Sequence, residues 1–179
     1  MSELVLSEYQ DTWPRQFAEV AEQLRATVPA HDAILEHIGS TSVPGLCAKP
    51  VLDVLLGVSS LAEAEAAIPA LASIGFVYRP EHEAAIPDRR YFVRPVGQTL
   101  RVHLHAVLLG GLLWRQHLHF RDALRQEPPL REQYATLKRA LAATYARDKA
   151  AYTEAKAPFI CQVLASSPTR STSALRSAA

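Results

Sequence analysis

The chain has 179 residues, 49% hydrophobic and 21% charged, with a formal net charge of +1. That length suits one domain with a single sizeable core, and the balance is that of an ordinary soluble globular protein. A net charge so close to zero gives no reason to expect a nucleic-acid polyanion or an acidic membrane as the main partner.

The two cysteines, Cys47 and Cys161, are too far apart for a disulfide framework or a zinc-ligand spacing. They read as reduced thiols of a cytosolic protein. The opening "MSELVLSEY" lacks the basic stretch and apolar run of a secretory signal. No apolar run approaches the ~20 residues that span a bilayer. A cytoplasmic location is the expectation.

Residues 12 to 28 place Phe17, Val20, Leu24 and Val28 on one helical face, with Pro14 in the first turn. "AILEHI" reads as a short strand, followed by the Gly39–Gly45 loop. "VLDVLLGV", from Val51, reads as a strand covered on both faces. Ser59 or Ser60 caps the helix "SLAEAEAAIPALASI", with Glu63 completing a capping box and Pro69 kinking or splitting it. "FVYR" is a further strand, and residues 80 to 90 have the composition of an exposed loop. "RYFVRPV" and "TLRVHLHAVLL" then form a hairpin about Gly97-Gln98. A two-residue turn there sets Arg94 opposite Arg101, Phe92 opposite His103 and Arg90 opposite His105, a register that a bulge at Pro95 would shift. The last third is helical, with a break at Pro128-Pro129 and a bend at Pro158. Residues 167 to 179 have the composition of a disordered tail. The order of elements points to an α+β or α/β layered domain over residues 1–166.

Asp53 is a charge inside a strongly apolar strand, and a buried carboxylate must be paired, hydrogen-bonded, metal-bound or protonated. It follows a loop, "GSTS", in which Gly39, Ser40, Thr41 and Ser42 offer amides and hydroxyls suited to a phosphate. The same hydroxyls equally well cap their own backbone. In "TLRVHLHAVLL", Arg101, His103 and His105 share one face while Leu100, Val102, Leu104 and Ala106 share the other. Alternate strand positions lie about 6.5–7 Å apart, so the two imidazoles can converge on one metal or one phosphate. Arg89, Arg90 and Arg94 stand beside this face in the expected hairpin and suit a polyphosphate. Lys49 is placed for a phosphate contact by its position at the mouth of the Asp53 strand. His117 and His119, two apart in a helix, do not share a face and carry no assignment.

These residues also resemble the GrpB family, of the nucleotidyltransferase-fold superfamily. The likeness rests on Tyr9, Trp13 and Phe17, on "HIGSTSVPGL.AKP..D" from His37 to Asp53, on "RRYF" and on "HLH". It continues through "FRDAL", "Y..LK…LA" and "AY…K..FI" almost to the end of the chain. The resemblance implies a mixed β-sheet flanked by helices. It also implies a Gly-Ser loop that holds the terminal phosphates of a nucleoside triphosphate, and carboxylates that hold magnesium or manganese. Gly39 and Ser40 match the loop, and Asp53 matches the first carboxylate. Leu55 stands at the second carboxylate position, and His103 or His105 at the third. One aspartate with two histidines suits manganese, iron, nickel or zinc better than magnesium. Family members fused to a dephospho-CoA kinase domain imply nucleotide or cofactor metabolism.

The expected function is metal-assisted transfer of a nucleotidyl group from a nucleoside triphosphate to an acceptor. Asp53, His103 and His105 form the metal and catalytic set. Gly39, Ser40, Thr41, Ser42, Lys49, Arg90 and Arg101 contact the triphosphate or another phosphorylated small molecule. The rivals are a catalytically silent nucleotide or phospho-metabolite binding module and a metal-dependent hydrolase using the Asp-His-His set.

Overall fold

The computed structural model describes residues 4–28, 34–95 and 100–166. The Gly97-Gln98 turn and the tail from residue 167 lie outside the described residues. Helix α1 (Trp13–Thr27) buries Trp13, Val20, Ala21 and Leu24, the stripe its periodicity sets. Strand β1 (Ile34–Ile38) leads through a 3₁₀ turn at Ser40–Ser42 into β2 (Val51–Val58).

Pro69 divides the next helix into α2 (Leu61–Ala66) and α3 (Ile68–Ser73). The Ser60 hydroxyl caps α2 by accepting from the Glu63 amide. The Glu63 carboxylate reaches back to Ser59, accepting from both its amide and its hydroxyl. Strand β3 (Val77–Tyr78) is short, and β4 (Arg89–Arg94) and β5 (Arg101–Leu108) follow. Helices α4 (Leu112–Gln126), α5 (Pro128–Thr144), α6 (Lys149–Glu154) and α7 (Ala157–Ala165) complete the chain. Pro128 and Pro158 sit in the first turns of α5 and α7. Pro158 therefore starts a helix instead of bending one, because its missing N–H is not needed there.

The five strands order β1-β2-β5-β4-β3, with β2 and β5 parallel and the other neighbours antiparallel. This is the mixed, helix-flanked α+β sheet that the family resemblance implies. Leu52, Val54, Leu56, Phe92, Val102, Leu104 and Ala106 form the main core with residues of α1, α2 and α3 on one face. On the other face Ile38, Leu55 and Val107 pack under Trp114 of α4. A third cluster joins the loop residues Val43, Leu46 and Cys47 to Leu124, Tyr134 and Ala135 of α4 and α5.

The β4–β5 register differs by one residue from the hairpin expectation: Tyr91 pairs with His105, Val93 with His103 and Arg94 with Val102. Side chains alternate along a strand, so a one-residue slip exchanges the two faces. Tyr91 therefore replaces Arg90 beside the histidines, and Arg90 and Arg94 turn to the helix-covered side. There Arg90 pairs with Glu65 at 2.7 Å and Glu83 at 3.6 Å, while Arg94 bonds Gln23 and lies over Phe76.

Candidate functional site

The parallel pairing of β2 with β5 sets Asp53 opposite His103 and Leu55 opposite His105. Within that register Nδ1 of His103 and Nε2 of His105 stand 3.3 and 3.4 Å from the same oxygen, Asp53 Oδ1. Burial pushes the Asp53 carboxyl up, but the hydrogen bonds from the two imidazoles outweigh it and hold the group well below the usual carboxylate range. Asp53 is therefore a carboxylate at any ordinary pH. Burial also lowers His105, against the opposing pull of the Asp53 carboxylate.

The other carboxylate oxygen explains Gly39. A Cβ on Gly39 would lie 2.3 Å from Asp53 Oδ2, and its φ of +70° is one that side-chain-bearing residues rarely adopt. The turn that follows is braced from within. Thr41 is buried, and its hydroxyl donates to the Val51 carbonyl at 3.1 Å and meets His37 Nε2 at 3.1 Å. Ser42 donates to the Gly39 carbonyl at 2.6 Å, and Arg125 holds the Ser42 carbonyl with two N–H groups. These hydroxyls cap their own backbone, the plainer of the two uses open to them. Ser40 is the hydroxyl that faces outward.

Ser40, Thr41, Lys49, Asp53, His82, Tyr91, His103, Lys138, Tyr152 and Lys156 line a cleft of about 440 Å³. Of the expected site residues, the structure brings Asp53, His103, His105, Gly39, Ser40, Thr41 and Lys49 together. Ser42, Arg90 and Arg101 are not among the cleft-lining residues. Arg101 continues the histidine face, opposite Val51, but is exposed.

Several residues of the site carry no assignment from sequence. Tyr91 packs against His103 and His105 with centroids 5.5 and 5.1 Å away, and His82 closes on Tyr91 at 5.2 Å. His117 of α4 lies 5.7 Å from the His105 ring. Lys138 is 2% exposed, and its ammonium donates to Ser40 Oγ at 3.0 Å and to the Cys47 carbonyl. Its signal in the sequence is a lysine four residues after Tyr134, on the apolar face of α5.

Asp53, His103 and His105 each offer one ligand atom, and these atoms all lie within 4.8 Å of one another. A tetrahedral ion with bonds of about 2.1 Å separates its ligands by about 3.4 Å. The two imidazole–carboxylate distances match that spacing, and one oxygen with two ring nitrogens fits a first-row transition ion. Arg89 tempers the fit at one ligand. Its Nη1 faces His105 Nδ1 at 3.5 Å, and a guanidinium only donates, so the ring keeps its proton on Nε2, toward Asp53. His105 can ligate through Nε2 only if that proton moves to Nδ1 or leaves, against the Arg89 guanidinium, which makes it the weaker of the two imidazole donors. A second metal ion has no carboxylate on β2, because Leu55 is fully buried against Ile38, Val107 and Trp114.

The sheet architecture and this site place the chain in a recognisable class. The family model described as GrpB protein matches residues 3–166, and the chain belongs to that family. It is 34% identical over 163 residues to a UPF0157 protein of Halalkalibacterium halodurans, covering 90% of this chain and 80% of that one. The crystal structure of the conserved protein GrpB from Enterococcus faecalis superimposes with a TM-score of 0.76 at 32% identity, covering 90% of this chain and 95% of that one. A protein of Mycolicibacterium paratuberculosis named dephospho-CoA kinase is 30% identical over 171 residues; 82% of this chain is covered but 42% of that protein. Among the described residues no helix is long and apolar enough to cross a membrane.

Two predictions follow from the local packing. Gly39→Ala must displace the Asp53 carboxylate and strain the turn, at a cost of roughly 2–4 kcal/mol in denaturant unfolding; an unchanged midpoint contradicts the close approach. The second concerns pH. Burial pushes both His37 and His117 down from 6.5 to about 4. Between those values the unfolded chain binds more protons, so stability rises with pH across this window and is lost as pH falls through it. His37→Gln should flatten the slope of unfolding free energy against pH over that range, and an unaltered slope counts against a neutral buried His37.

Proposed function

We propose that the cleft carries out metal-assisted transfer of a nucleotidyl group from a nucleoside triphosphate to an acceptor hydroxyl: the acceptor oxygen bonds to the α-phosphorus as the bond to the β-phosphate breaks, and pyrophosphate and the hydroxyl proton leave. The observation that supports this most is the convergence of Asp53, His103 and His105 beside the Gly39-Ser40 turn. Anion-binding and cation-binding groups thus meet in one cleft. Asp53, His103 and His105 would hold one divalent ion, which when bound supplies charge neutralisation at the α-phosphate and activation of the attacking oxygen.

The chain's own groups do the rest. Ser40 Oγ, fixed by Lys138, presents a hydroxyl to a phosphate oxygen. Asp53 stays ionised through the cycle because two ring nitrogens flank its Oδ1. Tyr91 and His82 wall the cleft beside His103. The relative named dephospho-CoA kinase agrees with a nucleotide or a phosphorylated cofactor as the ligand class.

A second reading rests on Leu55. Loss of the second carboxylate leaves a site able to bind a nucleotide without transferring it, which makes the protein a sensor or binding module. Thermal melting separates the readings, since a ligand bound by the native state raises the midpoint. Manganese with a nucleoside triphosphate should raise the midpoint more than either alone, and Asp53→Asn should abolish that extra rise. A rise that needs no metal supports the binding module, and a rise with metal alone supports a hydrolase. Normal metal-dependent binding by Asp53→Asn removes Asp53 from its assigned role.

A further inference from the structure

Lys49, Lys138 and Lys156 line the cleft together with a single carboxylate, that of Asp53. Among the described residues, none of the three forms an ion pair with a carboxylate. Lys49 and Lys156 lie on the Tyr152 ring, 4.2 and 4.6 Å from its centroid, and Tyr152 is itself buried. Lys138 reaches the cleft from α5 and donates to Ser40 Oγ at 3.0 Å, with its ammonium 5.0 Å from the centroid of the Tyr134 ring. Burial lowers both Lys49 and Lys138 to about 8, and Lys156 adds to the effect at each by like-charge repulsion. Three ammoniums against one carboxylate leave an excess of positive charge that favours a polyanion bridging them.

The opposite half of the site lacks the second carboxylate: Leu55 stands there, packed in an apolar cluster where an unpaired charge would be costly. We infer that Lys49, Lys138 and Lys156 hold the polyphosphate tail of the ligand and supply the charge neutralisation that a second metal ion, excluded at Leu55, would otherwise give. This rests on the phosphate-handling reading of the cleft and deepens it: the site takes one metal ion at Asp53 and grips the tail with three lysines. Ser40 is the joint between the halves, bonded to Lys138 and adjacent to the Gly39 that touches Asp53. The ligand class is a diphosphate or triphosphate ester, with its tail directed toward α5–α7 and its ester end toward His103 and Tyr91.

The test is calorimetric titration of inorganic tripolyphosphate into the full chain in EDTA, so that no divalent metal contributes. Saturable binding is expected, weakening with added salt as charge pairing requires. Lys49→Gln and Lys156→Gln should each weaken it about tenfold, the loss of one charge-assisted contact, and Lys156→Arg should retain it. Asp53→Asn should bind tripolyphosphate as well or better, because it removes the one negative charge, while losing metal binding. That arm separates failure of the lysine site from failure of the metal site. Binding that appears only with a divalent metal, or that ignores both lysine substitutions in variants that melt normally, overturns the inference.

Discussion

One contact organises the rest of the molecule: the Asp53 carboxylate, set in an apolar strand and wedged between two imidazoles and a glycine. One oxygen faces His103 and His105. The other sits where any side chain at residue 39 would be. Its ionisation depends on both imidazoles, since burial alone would raise its pKa. That dependence reaches into the sheet, because the imidazoles come from β5 and the carboxylate from β2. Only the parallel register that pairs Asp53 with His103 brings the three groups together. A slip of one residue would send both histidines into the core formed with α1, α2 and α3.

The site face of the sheet is divided by what covers it. Under α4 it is dry, with Leu55, Ile38 and Val107 against Trp114. Beyond the reach of α4 it opens into the cleft. Cations enter from the C-terminal helices, Lys138 from α5 and Lys156 from the start of α7, and Lys49 stands where the loop meets β2. Arg121 and Arg125 of α4 serve a different purpose. They tie Glu36 and the Ser42 carbonyl to the helix and so brace the turn that presents Ser40. The Gly39–Ser42 turn is thus held from two sides, by the strand carrying Asp53 and by the helices carrying the cations.

Much of this was legible in sequence because it is local. The β2 strand, the capped and Pro69-split α2–α3 pair, and the shared face of His103 and His105 all follow from periodicity and turn chemistry. Contacts set by register were harder. Placing Arg90 opposite His105 depended on the geometry of a turn, and one residue of difference put Tyr91 there instead. Hydroxyl roles in "GSTS" were ambiguous for the same reason. Whether Thr41 and Ser42 bond a ligand or their own backbone is decided by a carbonyl several residues away. Lys138, Lys156 and His117 were missed because helices far along the chain carry them, and packing alone brings those helices to the sheet. The lysine on the apolar face of α5 was the one local hint.

The most direct test of the whole arrangement is anomalous diffraction from crystals grown with manganese or zinc. Expected is one strong peak within bonding distance of Asp53 Oδ1, His103 Nδ1 and His105 Nε2, with no second peak toward Leu55. Two adjacent peaks, or a metal bound elsewhere with this trio bare, would contradict a single-ion centre built on the Asp53 strand.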